Sequence, residues 1–272
     1  MSLSGIHPLV YEARVAQLRA TRRIRDRLDG VPFARRQLAA DLSWVGVRHR
    51  SLLRRRLGTS DPALQEAKVV NLLLAVRGLD RLVIAPGEAF SFWERVGAPS
   101  AERGFVDGLV LVAGEVATGT GGGLCQLANL LYWMALHAPL EIVEHHHHGF
   151  DPFPDDGRVL PFGSGASVFY SYVDLRVRNA TDRPIEVRTW VGATDLHGEL
   201  RSDRPWPHAY HIEERAHRFT RDAGGRVRRR NELWRRTVDR RTGETTAIEA
   251  VTVNDSLVKY SVPEELISGS ET

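Results

Sequence analysis

At 272 residues the chain can bury a full core, as one large domain or as a domain with an appendage. Its composition, 42% hydrophobic and 26% charged, is that of an ordinary globular protein, and its single cysteine excludes an internal disulfide and a thiolate zinc cluster. The net charge is only +3, yet all basic residues except Lys68 and Lys259 are arginine, and residues 14–56 hold 13 arginines against Asp26, Asp29 and Asp41. Such a region suits an anionic partner such as nucleic acid, or simply makes solvated helix faces; no aromatic interleaving and no nucleic-acid motif favours the first reading. Met1 to Gly5 carry no apolar signal core, and no apolar run reaches the roughly 18 residues of a membrane span, so a cytoplasmic protein is expected.

In chain order, residues 8–29 read as a helix, opened by Pro8, closed by Gly30-Val31-Pro32, and striped by Leu9, Ala13, Ala16, Ala20, Ile24 and Leu28. Shorter helical stretches are expected at 34–42 and 47–57. Asp61-Pro62 suits the N-cap and first position of another helix, running to about Leu79. The period then changes. Short strands are expected at 81–84, 89–93 and 108–112, between Pro-Gly and Gly turns. A helix follows over about 124–137, with Leu124, Leu127, Leu131, Met134 and Ala138 at helical spacing, and then a strand over 140–144. Alternation over 172–178, the turn residues Asn179 to Pro184 and a run over 185–191 predict a β-hairpin. Residues 208–262 hold further β-like segments, and Ser268 to Thr272 read as a loose tail.

The segment Gly119-Thr120-Gly121-Gly122-Gly123-Leu124-Cys125-Gln126 places the only thiol at a helix start. There the unpaired N–H groups and the helix dipole favour the reactive thiolate, and Gly121, Gly122 and Gly123 permit close backbone approach. A small buried hydrophobe would fit the position equally well. The loop fails the dinucleotide fingerprint, because Leu124 stands at the third glycine, and it fails the P-loop for want of a following Lys-Ser/Thr pair. An oxyanion site of loop amides, helped by Gln126, suits the residues better. His145 to His148 follow a strand, so His146 and His148 share one face of it if it continues. A nucleophilic cysteine needs such an imidazole, and a carboxylate to orient it; Asp174, between Val173 and Leu175, is the candidate. The order cysteine helix, histidine strand, acid strand resembles that of papain-like and transglutaminase-like enzymes. Two rivals stand beside it: zinc or iron held by His146 and His148 with Asp151 or Cys125, or a solvated histidine loop. Residues 158–166 are glycine-rich; Arg158 and Ser164 suit a lid or substrate wall, or a plain connection.

Several motifs resemble the VanW family. They are Pro86-Gly87-Glu88-Ala89-Phe90-Ser91-Phe92, Gly121-Gly122-Gly123-Leu124-Cys125-Gln126, Glu144 through His148, Phe150-Asp151, Arg158 through Ala166, and Asp174 with Asn179-Ala180-Thr181. The likeness covers roughly residues 65–200. Its label derives from accessory genes of glycopeptide-resistance clusters, and its reaction is poorly defined. Position by position, the resemblance marks Cys125, Gln126, His146, His148 and Asp174. The family usually has Arg where this chain has His145, a departure that removes a possible anion clamp, and often Ser where it has Gly149.

The expectation is therefore an α+β protein: a helical N-terminal region packed on a mixed, mostly antiparallel sheet, with the cysteine helix against that sheet. Three parts are expected: an Arg-rich helical region over 1–60, the core over 61–200 and a β-rich extension over 201–272. The leading chemistry is acyl transfer or amide or ester hydrolysis on a peptidyl or amino-acyl substrate, without a cofactor. Cys125 would attack, His148 or His146 would move the proton, and Asp174 would orient the ring. The alternatives are a metal enzyme and a non-catalytic accessory that binds a peptide or an anionic partner.

Overall fold

A computed structural model describes residues 8–54, 62–112, 115–147, 149–152, 154 and 159–270. The architecture is α+β. The N-terminal helix α1 (Pro8–Asp29) leads into strand β1 (Trp44–Leu52), then helix α2 (Ala63–Val76) and strands β2 (Leu82–Ile84) and β3 (Ala89–Ser91). A short helix α3 (Phe92–Val96) precedes the ribbon β4 (Asp107–Val112) and β5 (Glu115–Thr120), and helix α4 (Cys125–Leu136) follows. Strands β6 (Leu140–Glu144), β7 (Phe150–Asp151), β8 (Arg176–Asn179), β9 (Ile185–Val191) and β10 (Asp195–Ser202) complete the middle of the chain. Three long strands, β11 (His208–Arg221), β12 (Val227–Asp239) and β13 (Thr245–Val258), and a short β14 (Ile267–Ser270) end it.

The core is an antiparallel sheet in the order β1-β10-β9-β2, against which α4 packs. The helical stripe is buried: Leu124, Leu127, Leu131, Met134 and Ala138 all sit in one apolar cluster with Leu72, Leu82, Ile185 and Leu200. Gly198 of β10 lets the helix close in, since a methyl group there would meet the Met134 terminal carbon at 2.6 Å. A second sheet, β3-β8-β6, and a third, β14-β11-β12-β13-β7, flank this core.

Four expectations change. Residues 44–52 form a strand, not a helix, because Val45 and Val47 in an alternating run find an antiparallel partner in β10; residues 34–42 are not helical, with only Gln37 bridging to Leu82, and 55–57 lie outside the described residues. Asp61, the expected N-cap, also lies outside them. The hairpin over 172–191 is absent. Its turn forms, with Asn179 Oδ1 accepting from Thr181 N–H and Oγ1, but β8 pairs with β3 and β6 while β9 pairs with β10 and β2. The turn thus passes the chain from one sheet to another. Ile267–Ser270 is a strand pairing parallel with β11 rather than a loose tail. Fourth, the apolar stripe of α1 faces solvent: Ala13, Ala20, Ile24 and Leu28 are exposed, while Arg19, Arg22 and Asp26 turn inward. Alanine offers little area to bury, and the inward side chains find buried ionic partners, so charge orients this helix.

The glycine loop is fixed by backbone crowding. Gly122 packs on the backbone of Gly108, and a methyl group at Gly122 would lie 2.1 Å from the Gly108 carbonyl carbon. Asn71 on α2, fully buried, locks this contact: its Nδ2 donates to the carbonyls of Gly122 and Val106, and its Oδ1 accepts from Val106 N–H. Gly122→Ala is expected to cost about 3 kcal/mol or more, read as a lower urea midpoint at unchanged slope. Gly119→Ala, whose added methyl would meet only the Val110 side chain at 3.6 Å, is the control and should cost far less.

Candidate functional site

A cleft of about 1450 Å³ runs between α1, the start of α4 and the segment 159–170. Gly121 and Gly123 line it with Cys125 and Gln126; Val15, Ala16 and Arg19 of α1 form one side, and Trp93, Phe150, Phe169, Tyr170 and Tyr172 supply aromatic surface. Gly122 is turned to Gly108 instead, so of the three glycines two face the cleft and one serves packing.

Cys125 is the first residue of α4 and is half-buried. Burial pushes its thiol up from the ordinary value, against the pull of the N–H groups of Val168 and of Cys125 itself. This is the opposite direction to that expected of a thiol at a helix start. Desolvation of a thiolate outweighs a dipole that acts over a single turn. Among the described residues no imidazole hydrogen-bonds the thiol. Gln126 does not aim its amide N–H groups at a loop oxyanion. Its Nε2 donates to Ser51 Oγ at 2.8 Å and to the Leu52 carbonyl at 2.9 Å, which ties α4 to β1.

The histidines separate. His145 is held inside, stacked on Tyr132 with ring centroids 3.8 Å apart, its Nε2 donating to the Gly165 carbonyl at 2.8 Å. Burial, with the charges of His147 and His146, pushes its pKa down to about 4 despite the Gly165 carbonyl. His146 is exposed and donates to Glu144 Oε1 at 2.9 Å. His147 is the one that lines the cleft with Cys125. His148, the preferred proton carrier, and Arg158 lie outside the described residues. Ser164 does line the cleft, its hydroxyl donating to the Pro161 carbonyl.

Asp174 meets no histidine among the described residues. It is buried and accepts from Ser91 Oγ at 2.5 Å, Arg176 Nε at 2.8 Å and the backbone N–H groups of Trp93 and Leu175. Burial pushes its carboxyl up, against the pull of Ser91 and Arg176. The carboxylate that does meet a histidine is Glu144. Burial alone would raise Glu144, but hydrogen bonds from His146 and Arg22, the Arg22 charge and the Asp174 N–H hold it at about 2. Asp151, offered as a metal ligand, is buried against Arg229 and Tyr260. Among the described residues no group of three His, Cys, Asp or Glu is placed to hold a metal ion.

Two cleft residues escaped the sequence reading. His49 of β1 faces the cleft as a neutral ring, held down by burial and the His137 charge. Lys68 of α2 is buried, its stem lying over Gly123 and its Nζ donating to Gln65 Oε1 at 2.7 Å. A lysine amid leucines and valines, in a chain whose one other lysine is Lys259, was the available signal for Lys68.

The model of the family described as VanW like protein matches residues 67–201. The chain is 34% identical over 208 residues to the vancomycin B-type resistance protein VanW of Enterococcus faecalis, covering 76% of this chain and 74% of that protein. It is 32% identical over 119 residues to the uncharacterized protein YoaR of Bacillus subtilis, covering 43% of this chain and 37% of that protein. No solved structure matches the chain.

Glu144 and His145 act in separate acid windows. For His145 the unfolded ring titrates near 6.5 and the folded ring at about 4. The unfolded chain therefore binds the proton first, and stability falls as pH drops from 6.5 towards 4. For Glu144 the stabilisation is complete above 4.5 and is lost as pH falls towards 2. His145→Gln should make the first window shallower, with His49, His137 and His147 keeping the remainder, and leave the second; Glu144→Gln should do the reverse, in urea unfolding free energies measured against pH.

Proposed function

The chain belongs to the VanW family, and on that premise we propose that it holds a peptidyl or amino-acyl ligand in the cleft, with Cys125 facing the ligand. One observation supports this above the others: the cleft's size and lining. At about 1450 Å³ it exceeds what a single small molecule fills, and its wall joins aromatic surface to a few placed polar groups. Lys68 and the start of α4 put positive potential beside Cys125, which complements a ligand carboxylate. Short peptides with a free C-terminal carboxylate should bind in calorimetry, and their amidated forms more weakly. Lys68→Met should remove most of that preference, on the order of tenfold in affinity. Absence of binding by every peptidyl and amino-acyl compound would overturn the proposal.

Cysteine-dependent acyl transfer, or hydrolysis of an amide or ester, is the second reading, with a cell-wall precursor or a specialised-metabolite intermediate as substrate class. It is favoured by the sulfur's place on the cleft wall within reach of two backbone N–H groups, and by neutral imidazoles of His49 and His147 on the same wall. A neutral ring is the form a general base needs. In the ligand-free protein the buried thiol should alkylate slowly, with a rate that climbs only above the ordinary cysteine range near pH 8.5. An amino-acyl thioester should leave one acyl group on Cys125, visible as a mass increment absent from Cys125→Ser. A protein that binds peptides but never acquires the increment would be an accessory binder.

A further inference from the structure

The outer face of α1 serves neither the core nor the cleft. Val10, Ile24 and Leu28 stand 56%, 59% and 79% exposed, and Ala13, Gln17 and Ala20 are exposed between them. At 3.6 residues per turn these six positions lie on one stripe along the 22-residue helix. Arg14 and Arg25 flank the stripe on one side, Arg23 and Arg27 on the other, and all four are exposed. Among the described residues none of these four forms an ion pair, and Arg14 donates only to the neighbouring Gln17. The helix's acidic groups lie off the stripe: Asp26 pairs with Arg176, Glu12 lines the cleft, and Asp29 stands one turn beyond Arg25 at the helix end. The orientation is not free to reverse, because Arg19 bonds to the Tyr170 carbonyl and Arg22 to Glu144 and the Tyr172 carbonyl.

We propose that this face docks on an anionic lipid bilayer, lying in the plane of its surface. The charge pattern selects the occupant. Arginines on both edges of a stripe complement lipid phosphates, while isoleucine, leucine and valine on the midline enter the acyl boundary. A nucleic acid would engage the same arginines and leave the apolar midline in water. A second copy of the chain would oppose four cations to four. The helix is amphipathic in both directions: its ionic inner face fastens it to the protein, and its apolar outer face meets the lipid. Since Val15, Ala16 and Arg19 of the same helix line the cleft, docking sets the cleft one helix away from the bilayer.

The test is cosedimentation of the full chain with vesicles of phosphatidylcholine alone or mixed equally with phosphatidylglycerol. Binding to the mixed vesicles is expected, with little to the neutral ones and a steady loss as salt rises. Arg23→Gln with Arg25→Gln should weaken it by roughly fivefold per arginine. Ile24→Ser with Leu28→Ser should abolish it while the thermal midpoint stays unchanged, because both residues are exposed already. The salt and lipid dependence of the unaltered protein give an arm that no folding defect can blur. Equal binding to neutral vesicles, no binding to either, or binding that survives the Ile24/Leu28 change would overturn the proposal. Retention of a short RNA duplex by the Ile24/Leu28 variant, without vesicle binding by the parent, would assign the arginines to nucleic acid. A dimer of the parent that the same variant dissolves would assign the stripe to a second copy.

Discussion

Arg176 is the group on which the arrangement around the cleft depends. Its Nε donates to Asp174 at 2.8 Å, and its two terminal nitrogens grip Asp26 of α1 at 2.6 and 2.8 Å. Glu144 lies 3.6 Å away and is itself held in a fork by Arg22. Two guanidinium groups and three carboxylates, nearly all shielded from water, thus join α1, β6 and β8 with the segment leading into α3. Removing water from one such charge is costly, and only partners of the opposite sign with good geometry offset it. Each member therefore fixes the next. Asp174 in turn accepts from Ser91, whose hydroxyl oxygen also caps α3 through the Glu94 N–H.

The energetic shares differ from the structural ones. Buried pairs of this kind come close to breaking even against apolar packing. The side chains of α4 against the sheet contribute about 2 kcal/mol each, which makes α4 and its sheet the source of stability. The ionic cluster decides placement instead. It lays α1 along the cleft, it takes Asp174 away from any histidine among the described residues, and it makes Glu144 the partner of His146. A run of four histidines, of which three are described, becomes one ring stacked in the core, one paired on the surface and one on the cleft wall.

Cys125 shows the same competition. The first turn of a helix lowers a thiol's pKa when the sulfur is solvated, because the dipole and the free N–H groups act without a desolvation cost. Here the sulfur is largely taken out of water, and that cost outweighs the N–H groups of Val168 and Cys125. Polar groups placed against the sulfur would lower that desolvation cost.

Much of the local structure was legible in the residues. The stripe of Leu124, Leu127, Leu131 and Met134 gave α4 and its buried face, Pro-Gly and Gly turns bracketed β2 to β4, and the Asn179 to Pro184 turn stands where its side chains require. The family motifs fixed membership from the same residues. These succeed because each rests on contacts a few positions apart. What failed needed distant partners: β1 is a strand only because β10 lies beside it, and the 172–191 run is no hairpin because each arm pairs better elsewhere. Likewise α1 turned its alanine face outward once Glu144 and Arg176 offered partners 122 and 150 residues away. The sequence by itself determined the helix bearing Cys125, the glycine loop before it and the family. Only the tertiary structure decided which charges meet, which histidine sees the cleft and which way α1 faces, because burial and ion pairing are set by what the whole chain brings together.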